Sequence, residues 1–126
     1  MRVLRAVLVA LVFASVAPSS LHAQRSNPLI EQGQELYDEL RYEEALQVLS
    51  AALVRSGNTE AQRATTYRLL AFTYLSLGRS EEAEGAYRSL LAIEPDYQAP
   101  GDLSPRFREF FTNVKAQWEA DGRPSP

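Results

Sequence analysis

Two pairs of adjacent carboxylates, Glu43-Glu44 and Glu81-Glu82, are the first candidates for chemistry in this chain. Carboxylates held close together can share a proton and divide acid and base roles between them. Each pair, however, opens an apolar-periodic segment, "YEEA" and "SEEAE". That places the carboxylates in first helical turns beside solvent, where the positive end of the helix dipole accounts for them without any reaction. The remaining inventory is thin. There is no cysteine, and the single histidine, His22, falls in a segment read below as a removable export signal. Without imidazole or thiol, the processed chain lacks the usual zinc ligands, a histidine general base and a thiol nucleophile. Carboxylates, tyrosines, serines and the one lysine, Lys115, are left. A hydrolase acting on cell-wall or peptide substrates needs a deep pocket with a carboxylate of raised pKa, and no insertion or carboxylate pair here provides one. No enzymatic activity, catalytic residue, cofactor or metal is assigned.

The first residues explain where His22 goes. "MRVLR" is basic, Ala6 to Ala17 is an apolar run of 12 residues, and "PSSLHAQ" is polar with small side chains. This order is that of a secretory signal peptide, whose apolar core spans about 7–15 residues. A spanning helix needs about 20, and Pro18 ends the run well before that. Cleavage is expected after Ala23, with Leu21 at the −3 position. No cysteine follows, so a lipid anchor on an N-terminal cysteine is excluded. The mature chain is then about 103 residues, Gln24 to Pro126. Losing Arg2 and Arg5 leaves eleven basic side chains against sixteen acidic ones, a net charge near −5. Nucleic-acid binding needs a basic footprint, so it is set aside. With no disulfide framework, stability must come from packing.

The mature chain reads as helices throughout. In "SEEAEGAYRSLLAIEP", Ala83, Ala86, Tyr87, Leu90 and Leu91 form one apolar stripe, with Ser80 as the expected N-cap and Pro95 as the stop. Upstream, Thr59 to Leu77 carries Tyr67, Leu70, Ala71, Tyr74 and Leu77 on its main stripe, and Leu69, Phe72 and Leu75 on other faces. A helix apolar nearly all round is buried on more than one side. Gly78 supplies a left-handed cap, so the two helices form a hairpin. An earlier pair follows the same grammar. "NPLIEQGQELYDEL" presents Leu29, Ile30, Gly33, Leu36, Tyr37 and Leu40. "YEEALQVLSAALVRSG" presents Ala45, Val48, Leu49, Ala52 and Leu53 and stops at Gly57. Superposing "RYEEALQVLSAAL" on "RSEEAEGAYRSLL" aligns Ala45 with Ala83 and Leu49 with Tyr87, an offset of 38 residues. A period in this range is the signature of stacked helical repeats. Ser104 and Pro105 then start a fifth helix as N-cap and first helical residue. It carries Phe107, Phe110, Phe111, Val114 and Trp118, and a tail of residues 121–126 is expected to fray.

Both hairpins resemble tetratricopeptide repeats. The second, Ala64 to Tyr97, spans 34 residues and carries Tyr67, Leu70, Ala71, Tyr74, "LG" at Leu77-Gly78, Ala83, Tyr87 and Pro95 at the positions the family's pattern asks for. Leu90 stands where the family usually has alanine. The first, about Ser26 to Thr59, keeps Gly33, Leu36, Tyr42, Ala45, Ala52 and Leu53, but has Gln32 where leucine is expected and ends at Gly57 rather than proline. Its longer period places an added turn on the helix that begins near Thr59.

The resemblance implies an all-α fold: a signal peptide (1–23), two antiparallel helix hairpins (24–59 and 60–97), a capping helix after a loop (98–120) and the tail (121–126). Close crossing requires small residues, here Ala71 against Ala83. It also implies a scaffold that binds a protein or peptide partner in a concave groove. Carried over, the groove positions are Ile30, Gln34, Tyr37 and Asp38 from the first repeat, with Thr65, Arg68, Phe72, Leu75 and Ser76 from the second. The subset of the family that grips a C-terminal carboxylate needs a cluster of basic residues, which Arg68 alone does not supply. Phe72 and Leu75 are equally readable as core beneath a neighbouring helix, and Arg68 and Asp38 as solvated surface charges. Trp118 is either an exposed interface anchor or the last core residue. The preferred expectation is an exported adaptor in a bacterial periplasm or envelope, or secreted, with no stable membrane insertion of the mature chain. The second is a self-associating, homo-oligomeric subunit of an envelope assembly, joined through Phe110, Phe111 and Trp118.

Overall fold

A computed structural model describes residues 27–125. The export signal expected over residues 1–23, its cleavage point and the residues just ahead of the first hairpin lie outside the described residues. Within them the chain forms five helices and no strand: α1 (Pro28–Asp38), α2 (Tyr42–Val54), α3 (Glu60–Ser76), α4 (Ser80–Ile93) and α5 (Pro105–Ala120). α3 and α4 pair most closely, α1 pairs with α2, α3 also meets both α1 and α2, and α5 lies on α4. No helix is long and apolar enough to cross a membrane among the described residues.

α3 is the centre. Leu69, Leu70, Ala71, Phe72 and Leu75 are all buried, as its all-round apolar pattern predicts. Two threonines share that burial, Thr66 and Thr73, and each donates its hydroxyl to a carbonyl one turn back, Gln62 O at 2.8 Å and Leu69 O at 2.7 Å. A buried hydroxyl satisfied within its own helix needs nothing from its neighbours. α3 starts under a capping box in which Thr59 and Gln62 exchange side-chain and backbone hydrogen bonds. It therefore begins a turn ahead of Ala64, which is the added turn expected of it.

The two hairpins turn by the same device. In the second, Gly78 takes φ 75° and Arg79 N–H donates to Tyr74 O at 2.8 Å. In the first, Leu40 occupies the equivalent place with φ 63°, and Arg41 N–H donates to Leu36 O at 2.8 Å. Leu40 therefore does not join the apolar stripe of α1, where its spacing puts it; it is 70% exposed. The left-handed conformation costs an L-residue about 1–2 kcal/mol, which glycine avoids. Small buried residues also fall at matching positions of the two hairpins, Gly33 with Ala71 and Ala45 with Ala83. Ala71 and Ala83 are buried in the core, at 1% and 0% exposure. In the first hairpin Gly33 faces Leu49 so closely that an added Cβ would stand 2.5 Å from Leu49 Cγ.

Three ends differ from the sequence reading. Ser80 is the first helical residue rather than the cap; Arg79 holds the cap position without a side-chain hydrogen bond and pairs with Glu82 instead. α2 stops at Val54, three residues before Gly57. Its end is closed from a distance: Asn58 Nδ2 donates to Ala52 O (2.8 Å), and Asn27 Nδ2 donates to the same carbonyl (3.0 Å) and to Asn58 Oδ1 (2.9 Å). Asn27 Oδ1 meanwhile accepts Leu29 N–H at 3.2 Å, so one side chain caps the start of α1 and the end of α2. Finally, the segment after α5 turns back. Gly122 and Arg123 take left-handed φ, and the indole N–H of Trp118 donates to Pro124 O at 3.0 Å.

The crossing at Gly33 generates a paired prediction. Gly33→Ala drives a methyl group into the fully buried Leu49, and overpacking of about 1–3 kcal/mol outweighs the helix-propensity gain of up to about 1 kcal/mol. Gly85→Ala, where a Cβ meets open space, collects that gain alone. Thermal unfolding should show Gly33→Ala lowering Tm by roughly 5 °C or more and Gly85→Ala raising it by a few degrees.

Candidate functional site

The concave positions expected from the sequence separate into two groups. Phe72 and Leu75 are core, at 8% and 2% exposure, and α5 lies over Phe72. Phe72 meets Phe107 and Phe111 of α5 at centroid distances of 6.2 and 5.0 Å, and Tyr37 of α1 edge-on at 6.4 Å. Tyr37 is half-buried and also contacts Tyr42 at 5.3 Å. Arg68 points toward the loop after α4, close enough to Tyr97 to oppose the rise that burial causes in that phenol. Asp38 is exposed and accepts from Gln34 Nε2 at 2.9 Å, so this pair closes on itself along α1. Of the proposed anchors on α5, Phe111 and Trp118 are buried, at 2% and 1% exposure. Phe110 alone stays half-buried, edge-on to Phe111 at 5.3 Å. Trp118 is thus the last core residue, and its own tail covers it.

What remains open is a groove between α1 and α3. Ile30, Gln34 and Thr65, all expected there, converge with Glu31, Glu35 and Leu69 around a depression of 380 Å³. It continues past Ile30, Glu31 and Thr65 into a second of 290 Å³, reaching Ala61 and Gln62. Ile30 and the buried Leu69 make an apolar floor, Gln34 and Thr65 supply hydrogen-bonding groups, and Glu31 and Glu35 stand on the rim. This arrangement offers contact and orientation, not a reactive centre. Glu31 and Glu35 do not stand out in the sequence, where acidic residues on α1 look like an ordinary solvated face. Their position beside Ile30 is the only sequence signal that finds them.

A second depression, of 380 Å³, lies between α4, α5 and the loop joining them. Tyr87 and Phe111 line it, 4.7 Å apart, with Tyr97 at 6.0 Å from Tyr87. Its two cations are occupied in holding the loop: Lys115 Nζ donates to Tyr97 O at 2.9 Å, and Arg108 Nη2 donates to Leu103 O at 3.1 Å. Beyond it, Arg88 on α4 bridges Glu84 at 3.0 Å and Asp121 at 3.1 Å, tying the end of α5 to α4. Among the described residues, no three histidine, cysteine, aspartate or glutamate side chains gather into a metal-holding group.

No protein-family model, curated protein or solved structure matches this chain.

The Tyr87 phenol is the most perturbed group beside either depression. Burial pushes it up to about 12, with smaller contributions from Tyr97 and Glu119. Above the ordinary phenol value of 10.0, the unfolded chain loses this proton first, so the folded state binds more protons and stability falls as pH rises. Denaturant unfolding should show this fall between about pH 10 and about 12, and Tyr87→Phe should flatten part of it. An unchanged slope would place the dependence elsewhere.

Proposed function

We propose that this chain is an exported, non-enzymatic adaptor of the tetratricopeptide type, holding a segment of another protein in the groove between α1 and α3. The observation that carries the reading is the convergence of Ile30, Gln34 and Thr65, from two helices that neighbour each other across hairpins, on one open depression with an apolar floor. Support for the repeat assignment comes from the matched small residues, Gly33 with Ala71 and Ala45 with Ala83, and from the turn device recurring at Leu40 and Gly78. Export is supported by the basic start, apolar run and small residues ahead of Gln24. The non-enzymatic reading rests on the processed chain's lack of imidazole and thiol. Binding through Phe111 or Trp118 is not part of the proposal, since both are covered within the chain.

The test uses surface residues, because substituting Phe72 would remove core packing and binding together. Ile30→Asp places a charge on the half-buried floor of the groove. Affinity capture of a partner from a bacterial envelope extract should fall about tenfold or more, as expected for losing an apolar interface anchor, while circular dichroism shows the helices retained. Undiminished capture by the folded variant would overturn the assignment of the groove.

A further inference from the structure

We infer that the α1–α3 groove receives a cationic amphipathic segment of its partner, with an apolar side chain over Ile30 and Leu69 and a lysine or arginine against Glu31 and Glu35. This rests on the groove being the partner-binding surface and adds the chemistry of what occupies it. Glu31 and Glu35 are spaced four residues apart and stand on the same ridge of α1, both exposed. Asp38 extends that ridge by a further three residues. Like charges at this spacing repel. Some carboxylates near helix starts are balanced locally, Glu44 by Arg41 and Glu82 by Arg79, while Glu43 and Glu81 beside them have no ion pair among the described residues but line neither groove depression. Glu31 and Glu35 have no such partner among the described residues. Nor does α3 provide one across the groove: the residues it contributes there, Ala61, Gln62, Thr65 and Leu69, carry no charge. Arg63, the nearest cation on α3 by sequence, lies toward Glu60, and Arg68 faces Tyr97. The groove therefore pairs an apolar floor with a negative edge that no described residue compensates. A neutral apolar segment would leave that edge facing it unpaired, and an acidic one would be repelled. A segment with a basic residue one helical turn from an apolar one satisfies both features.

The probes are three fluorescein-labelled peptides of about 15 residues, long enough to form a helix on binding, with one leucine pattern and lysine, glutamine or glutamate at the polar positions. Anisotropy titrations with the full chain should show the leucine–lysine peptide binding about tenfold or more tighter than the leucine–glutamine one, and the leucine–glutamate peptide binding weakest. Glu31→Gln with Glu35→Gln should weaken the leucine–lysine peptide about fivefold and bring it toward the glutamine peptide. Raising salt from about 50 to about 500 mM should do the same. Glu81→Gln with Glu109→Gln removes equal charge from exposed positions on α4 and α5 and should change nothing. If the two double variants act alike, the attraction is general and the inference fails. If the glutamine peptide binds as tightly as the lysine one and both are lost with Ile30→Asp, the groove remains a docking surface but its charge preference is wrong. Absence of binding by any of the three also overturns the cationic occupant, while partner capture with Ile30→Asp judges the groove independently.

Discussion

Eight aromatic rings touch one another in an unbroken network that draws on every helix of the described chain. It runs from Tyr42 on α2 to Tyr37 on α1, across to Phe72 on α3, on to Phe107, Phe111 and Phe110 on α5, and back through Tyr87 on α4 to Tyr97. Phe72 is its junction: without that ring, the half formed by the first hairpin has no contact with the half formed by α4 and α5. Aromatic pairs are worth about 0.5–1.5 kcal/mol each beyond the area they bury. Their larger effect here is geometric. A flat ring meeting three others in tilted or edge-on poses leaves little freedom for α1, α3 and α5 to slide past one another. None of the network's rings lines the groove between α1 and α3.

Around this centre the polar groups serve closure rather than attraction. The ion pairs are largely exposed and mostly between residues two to four apart in sequence, and such pairs contribute little. The more consequential polar contacts join elements distant in sequence. Asn27 and Asn58 finish α2 while starting α1. Lys115 and Arg108 hold the carbonyls of the loop that returns from α4. Trp118 fastens the tail through its indole N–H. Each supplies a hydrogen bond where a helix end or an irregular segment would otherwise leave a backbone group without one.

The helices and their pairing are legible in the sequence because they follow from local spacing: the apolar stripe of α4, the all-round apolar pattern of α3, and Ser104-Pro105 before α5. The fate of Phe72 is not, since that position is groove or core depending on where a helix thirty residues later comes to rest. Trp118 is undecided for the same reason, its cover being a tail that composition alone describes as loose. The sharing of one carbonyl by Asn27 and Asn58 has no local signature at all. In the groove, Ile30, Gln34 and Thr65 are reachable by aligning the two hairpins, whereas Glu31 and Glu35 acquire meaning only once the opposite wall is seen to be uncharged.

The helix that forms one wall of the groove is also the least embedded. Only Gly33 and Leu36 of α1 are buried, against eight residues of α3. Local opening is easiest where few apolar contacts must be broken, so α1 is the element whose release costs least. Releasing it dismantles the groove while leaving the α3–α4 hairpin in place. A ligand of the kind proposed would therefore stabilise attachment of α1 by mass action, and slowed amide exchange in this one helix would report occupancy. On the proposed reading, the hollow would be kept by its guest as much as by its own framework.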